Sequence, residues 1–154
     1  MKQSAGILAF RYRDGELEVL LAHPGGPLWA NKDDGAWSIP KGEFDDSEVG
    51  LDAARREFQE ETSIEPPSDG YISLGSITQK SGKLVHAWAV EMDLDPAQAV
   101  SNNFALEWPP RSGKTIEVPE VDQVEWFRPP DAHRKANPAQ AELISRLVAL
   151  RTDR

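Results

Sequence analysis

Apolar positions cluster along the chain in a pattern that predicts strands first, then a helix, then more strands and a closing helix. Ser4 to Tyr12 carries the unbroken apolar run Ile7-Leu8-Ala9-Phe10, the pattern of a buried strand. Arg13-Asp14-Gly15 is a turn signal and Leu17 to Ala22 reads as a second strand, so the two form a hairpin. Pro24-Gly25-Gly26-Pro27 breaks the chain, and a loop runs on to Gly35. Ala36 to Ile39 is a short apolar segment stopped by Pro40. Ser47 to Thr62 predicts a helix, with Leu51, Ala54 and Phe58 at i, i+3 and i+7 as its apolar stripe. Asp45, Asp46 or Ser47 supplies its N-cap, and Pro66-Pro67 forbids continuation. Tyr71 to Gln79 and Lys83 to Met92 are strands around the turn Lys80-Ser81-Gly82. Asp93 to Val118 is polar with little periodicity and predicts a long loop. Gln123 to Phe127 reads as a last strand. Asn137 as N-cap and Pro138 at N1 open a final helix, with Leu143, Ile144, Leu147 and Leu150 on its apolar side. This order predicts an α/β chain with a mixed β-sheet and helices on both faces.

Composition narrows the chemistry. A chain of 154 residues with 39% hydrophobic and 28% charged residues fits one globular domain over 1–154. Lys and Arg number 17 against 26 Asp and Glu, a net charge of −9, which disfavours a nucleic-acid partner held by a broad basic face. The absence of cysteine excludes a disulfide framework, a thiolate zinc site and a cysteine nucleophile. Lys2 precedes an apolar stretch, Ala5 to Phe10, that is too short for a secretory leader. No apolar run approaches the ~18 residues that cross a bilayer. The expectation is a soluble cytoplasmic protein with no membrane partner.

The informative segment is Gly42-Glu43-Phe44-Asp45-Asp46-Ser47-Glu48 followed by Arg56-Glu57-Phe58-Gln59-Glu60-Glu61. On a helix, Glu60 lies about 60° to one side of Glu57 and Glu61 about 40° to the other. Three carboxylates therefore share one face, beside the apolar stripe that anchors the helix. Like charges this close repel by about a few tenths of a kcal/mol per pair. A hard divalent cation would relieve that repulsion, since Mg²⁺ prefers carboxylate oxygens and keeps waters for a phosphate to displace. A solvated acidic face is the alternative, and geometry alone leaves both open.

The spacing of Gly42, Glu48, Arg56-Glu57-Phe58, Glu60-Glu61 and Ile64 resembles the Nudix box. Every fixed position agrees except one, where Ser63 stands in place of the family glycine. Trp37-Ser38-Ile39-Pro40-Lys41-Gly42 just before it is similar to the family as well. The resemblance implies a Nudix-type α/β/α sandwich with a mixed β-sheet, and Mg²⁺- or Mn²⁺-dependent hydrolysis of a diphosphate linked to another group. It implies Glu57, Glu60 and Glu61 as metal-binding carboxylates, one of them also taking a proton from the attacking water. It further implies the main-chain carbonyl of Lys41 as a ligand, and Arg56 and Glu48 as partners that brace the helix. Ser63 would cost about 1 kcal/mol if its backbone is left-handed, but it removes no ligand. It leaves a non-catalytic nucleotide-binding or sensor Nudix domain as the alternative.

The box does not name the linked group. The form Pro40-Lys41-Gly42 resembles the branch acting on dinucleoside polyphosphates and diphosphoinositol polyphosphates. A nucleoside triphosphate is the other expected substrate. Lys41, Lys83 and His86 are candidate substrate contacts, although strand alternation puts His86 and Trp88 on one face and Lys83 on the other unless a bulge intervenes. A packed core position is the alternative for His86 and Trp88. The polar stretch from Asp93 carries Trp108, Arg111 and Lys114 and is a candidate lid. Glu107, Glu117 and Glu120 are candidates for a distal acidic base or extra ligand, with Glu120 favoured because it directly precedes the last strand. The expected partner is a small-molecule phosphoanhydride. Pairing into a homodimer, as in many relatives, stays open.

Overall fold

A computed structural model describes residues 2–152. The elements run β1 (Gln3–Arg13), β2 (Glu16–Pro24), β3 (Lys41–Phe44), α1 (Gly50–Thr62), β4 (Ile72–Thr78), β5 (Leu84–Glu91), β6 (Asn103–Glu107), β7 (Thr115–Pro119), β8 (Val121–Phe127), α2 (Pro129–Lys135) and α3 (Ala141–Thr152). The main sheet has the order β4-β5-β1-β2-β8, with β3 also pairing β1. β1 and β5 are parallel and the other pairings antiparallel, so the sheet is mixed.

β1 is central because nearly every residue from Ser4 to Phe10 is buried on one face or the other. Its odd positions Ala5, Ile7 and Ala9 pack with Ala53, Ala54 and Phe58 of α1. Its even positions Leu8 and Phe10 pack with Ala132 of α2 and with Leu143, Ile144 and Leu147 of α3. One strand buried on both sides explains its continuous apolar run. The result is an α/β/α sandwich around a mixed sheet, as the resemblance implied.

Several local expectations are corrected. Ala36 to Ile39 makes only the bridges Ala22↔Ser38 and Trp37↔Ala136, and the strand lies beyond Pro40. The central helix starts at Gly50 and not Ser47, with no side-chain cap. Asp45 instead accepts from the Ser47 N–H at 2.9 Å and closes a turn of its own. Leu51 is only half-buried, because the helix is rolled so that Glu57 and Glu61 are pressed inward with Phe58. The stretch from Asp93 is not a plain loop. It holds a short 3-10 turn, Pro96–Gln98, and the two-stranded ribbon β6–β7. Five-residue strands are too short to show their alternation above a polar background. α2 has no apolar stripe to announce it, since only Ala132 along it is buried. Asn137 caps as expected, accepting from the Ala139 N–H at 3.0 Å, but a 3-10 turn over Pro138–Gln140 precedes α3. Leu150 is 46% exposed and belongs to neither apolar cluster.

The loop between β2 and β3 is pinned on both sides. Asp33 accepts from Trp37 Nε1 at 2.8 Å and pairs with Lys135 of α2. The Trp37 ring meets His23 and Phe127 edge-on, each at 5.1 Å between centroids. Gln140 is 2% exposed and reaches across from the start of α3. Its Oε1 accepts from the Ile39 N–H at 2.9 Å, while its Nε2 donates to Ser38 Oγ and Gln79 Oε1 at 3.0 and 3.1 Å. A buried amide that satisfies the backbone just ahead of Lys41 holds that segment in one conformation. Gln140→Leu would orphan the Ile39 N–H and should lower stability by about 2 kcal/mol. A melting temperature within a degree of wild type would show that the segment is held by other contacts.

Candidate active site

α1 presents its carboxylates at the edge of the sheet where β3 runs beside β1. Glu57 and Glu61 are each 9% exposed, and Glu60 lies outside them. Gly42 lies directly under Glu57. A Cβ at that position would collide with the Glu57 carboxyl group, so glycine is required by close approach and not by backbone angle.

Arg56 organises the outer side. Its Nε and Nη2 donate to the two Glu48 oxygens, both at 2.9 Å, the bidentate fork expected of a guanidinium and a carboxylate. Its Nη1 donates to Glu57 Oε1 at 2.8 Å and to Glu60 Oε1 and Oε2 at 3.3 and 3.4 Å. One cation therefore ties the loop residue Glu48 to two helix carboxylates.

On the inner side a cavity of about 180 Å³ is lined by Ala22, Pro24, Ser38, Lys41, Glu61 and Glu120, among others. Burial pushes the Glu61 carboxyl up to about 8, and the nearby charges of Glu57 and Glu120 push the same way. Lys41 opposes the rise, through its charge and a main-chain hydrogen bond to the Glu61 carboxylate. Burial likewise raises Glu57, and raises Glu120 with help from Glu60. Burial, then the charge of Lys83, lowers Lys41. Four carboxylates thus sense one another around one lysine.

The distal acidic residues separate by placement. Glu120 lines the cavity beside Glu61. Glu107 closes the tip of the ribbon, accepting from the Arg111 and Gly113 N–H groups at 3.3 and 3.1 Å, and Glu117 is exposed. Lys83 sits 3.8 Å from Glu43 and is felt at Lys41, but it does not line the cavity. His86 is farther from the chemistry. It contacts Gln3 Oε1 at 2.7 Å, meets the Phe44 ring edge-on, and shares with Trp88 the face under the start of α1. β5 pairs with β1 without a bulge, and His86 and Trp88 keep one face, while Lys83 lies just before the strand begins.

Ser63 adopts φ 62°, ψ 17°, the left-handed region, and its N–H donates to Gln59 O at 2.8 Å. Its hydroxyl donates to Val100 O, a bond that glycine could not make and that offsets the backbone cost. Asn102 escaped sequence reasoning. Its N–H donates to Glu60 O at 3.0 Å, and its side-chain amide, oriented to suit its neighbours, donates to Glu60 O and to Glu120 Oε2. Gln140 escaped as well, because its partners lie 61 to 102 residues away in sequence.

Among the described residues, no three His, Asp or Glu side chains are already drawn into a closed ligand shell. The donor set nevertheless fits a hard divalent cation: it is all-oxygen and crowded, and a bound cation would offset the burial that raises the Glu61 carboxyl. Two larger hollows, of about 620 and 660 Å³, lie away from the carboxylates of α1. Arg11 in the first is paired with Glu18 and Asp93, and Lys135 in the second with Asp33 and Asp34. Among the described residues no helix is long and apolar enough to cross a membrane.

The NUDIX domain family model matches residues 2–147. No curated protein matches the chain by sequence. Among solved structures, the fold is similar to a C. elegans Ap4A hydrolase binary complex at 22% identity, 100% coverage of both chains and a TM-score of 0.67. It is also similar to the NUDIX domain of Shewanella oneidensis NrtR complexed with ADP ribose, at 18% identity, covering 96% of this chain and 86% of that one, with a TM-score of 0.63. The E. coli ORF135 protein is 25% identical over 100% of this chain and 94% of its own, with a TM-score of 0.58. The chain belongs to the Nudix family, and as a member it is a hydrolase acting on phosphoanhydride bonds.

Proposed function

We propose that the protein is a divalent-cation-dependent pyrophosphohydrolase whose substrate is a nucleoside diphosphate linked to another group, of the dinucleoside polyphosphate type. The observation that carries this is the crowding of Glu57, Glu61 and Glu120 around Lys41 at one buried edge. The form Pro40-Lys41-Gly42 and the likeness to an Ap4A hydrolase support the substrate class.

Glu57, Glu60, Glu61 and the Lys41 carbonyl would hold Mg²⁺ or Mn²⁺, with Glu120 as a further ligand or as the base. Such a cation neutralises phosphate oxygens and lowers the pKa of an attacking water. The chain's own residues do the rest. Lys41 presents its ammonium to the bridging phosphates. Glu120 makes no pair with Arg56 and accepts the proton as the water oxygen bonds to phosphorus and the anhydride P–O bond breaks. Arg56 and Glu48 keep the helix carboxylates from splaying.

Product chromatography over diadenosine polyphosphates, nucleoside triphosphates, ADP-ribose, nucleotide sugars and a diphosphoinositol polyphosphate tests the reading. One dominant activity should appear, and Glu61→Gln or Glu60→Gln should lower kcat about a hundredfold or more. Binding of a nucleotide that is recovered intact, with no turnover of any substrate, would establish the non-catalytic alternative instead. Gly42→Ala displaces Glu57 and should raise the Mg²⁺ concentration for half-maximal rate about tenfold or more. An unchanged Mg²⁺ requirement would remove Glu57 from the ligand set.

The raised carboxyls have a signature independent of activity. Glu61 holds its proton more tightly folded than unfolded, so between the ordinary carboxylate range and about 8 the native state carries the extra proton. Stability of the metal-free protein should therefore fall as pH rises through that window. The melting temperature should drop by about 5–10 °C from pH 5.5 to pH 8.5. Added Mg²⁺ should stabilise more at pH 8.5 than at pH 6, and Glu61→Gln should flatten both trends. A metal-free melting temperature that climbs over this range would contradict the burial of Glu61.

A further inference from the structure

The ribbon β6–β7 grows out of the catalytic edge. Val100 N–H donates to Thr62 O and Asn102 N–H to Glu60 O, both at 3.0 Å, and Glu120 N–H donates to Asn102 O at 2.9 Å. Its register pairs Phe104 with Val118 and Leu106 with Ile116, so these four apolar side chains share one face. A lone two-stranded ribbon is marginal in water, so an apolar face on it needs a partner.

Only part of that partner is present. The chain after β2 comes so close that a Cβ at Gly25 would collide with the Pro119 carbonyl, and one at Gly26 would touch Val118 at 3.5 Å. Val118 is buried there. Trp29 N–H donates to Gly26 O at 3.2 Å, closing a turn that carries Leu28 and Trp29 directly after the glycine that meets Val118. Leu28 is 55% exposed, Trp29 37%, Phe104 38% and Ile116 39%, four of the eight large exposed apolar residues among those described. Among the described residues, neither the Trp29 nor the Phe104 ring meets another aromatic ring. Lys32 Nζ lies 5.1 Å from the Trp29 ring centre, and Arg111 and Lys114 lie at the ribbon tip, in a chain whose net charge is −9.

We propose that the surface between the Leu28-Trp29 turn and the apolar face of the ribbon seats the nucleobase of the substrate, with Trp29 and Phe104 as stacking surfaces. The inference rests on the reading of the site as one for nucleoside polyphosphates. Its main support is continuity. Gly25 N–H donates to Glu120 O at 3.1 Å, and Pro24 and Glu120 line the carboxylate cavity, so the chain segments that carry Trp29 and the ribbon both adjoin it. Aromatic faces beside cations favour a base carrying phosphate, whereas a purely apolar partner would leave the cations without a role.

The test follows the Trp29 indole N–H by two-dimensional NMR of the full chain, its peak identified by its loss in Trp29→Phe. Titration with ADP should shift that peak saturably, and inorganic pyrophosphate should not. Trp29→Ala and Phe104→Ala should each weaken ADP binding about tenfold while leaving pyrophosphate binding unchanged, and Trp29→Phe should restore most of the loss. A Trp29 peak unmoved by millimolar ADP, with equal ADP affinity in both alanine variants, would overturn the proposal. Turnover separates this failure from failure of the proposed activity. Wild-type hydrolysis of a nucleoside polyphosphate with unchanged KM in both variants removes the base seat and keeps the enzyme. A shifted Trp29 peak in a protein that hydrolyses no substrate keeps the base seat and removes the activity.

Discussion

Mutual repulsion among carboxylates held at a buried edge is the constraint on which the rest of the site depends. Glu57, Glu61 and Glu120 are each pushed toward the neutral acid, first by burial and then by neighbouring carboxylates: Glu57 by Glu60 and Glu120, Glu61 by Glu57 and Glu120, and Glu120 by Glu60. Unopposed, such a cluster would rotate outward into water. Several features oppose that. Gly42 removes the side chain that would evict Glu57, Arg56 draws Glu57 and Glu60 toward Glu48, and the Lys41 peptide bonds to Glu61. Each is a local device, and together they keep the charges where a cation and a phosphate chain can exploit them.

These devices were legible in unequal measure. The spacing from Gly42 to Glu61 could be read directly, because helix geometry turns positions 57, 60 and 61 into one face. The sandwich was legible too, since a strand buried on both sides leaves an unbroken apolar run such as Ile7 to Phe10. The exact roll of α1 was not. Counting Leu51, Ala54 and Phe58 as the stripe assumes that carboxylates face out, whereas the structure presses Glu57 and Glu61 in and leaves Leu51 half-buried. Binary patterning fails where function requires a buried charge.

The rest was invisible for reasons of range. Gln140 fastens Ile39 and Ser38 from a hundred residues away, and Asn102 reaches Glu60 and Glu120 from a stretch with no periodicity. A buried polar side chain gives no sequence signal unless its partner is known. The ribbon was hidden for a different reason. Its two strands have one apolar face each of only two residues, Phe104 with Leu106 and Ile116 with Val118. That is below what alternation can reveal.

Ser63 shows how the same turn serves two ends. In the left-handed conformation at the C-terminus of α1, its backbone does what glycine would do, donating to Gln59 O. Its hydroxyl then reaches Val100, two residues before Asn102, at the root of the ribbon. A glycine there would relax the backbone but lose one of the bonds between this root and the helix that carries the carboxylates, leaving the Val100 and Asn102 N–H bonds to Thr62 O and Glu60 O. The departure from the family pattern therefore couples the carboxylate-bearing helix to the segment bearing Phe104. A free hydroxyl at an unstrained position would argue only for drift. A bonded hydroxyl at a strained one argues that the link between helix and ribbon is worth the strain.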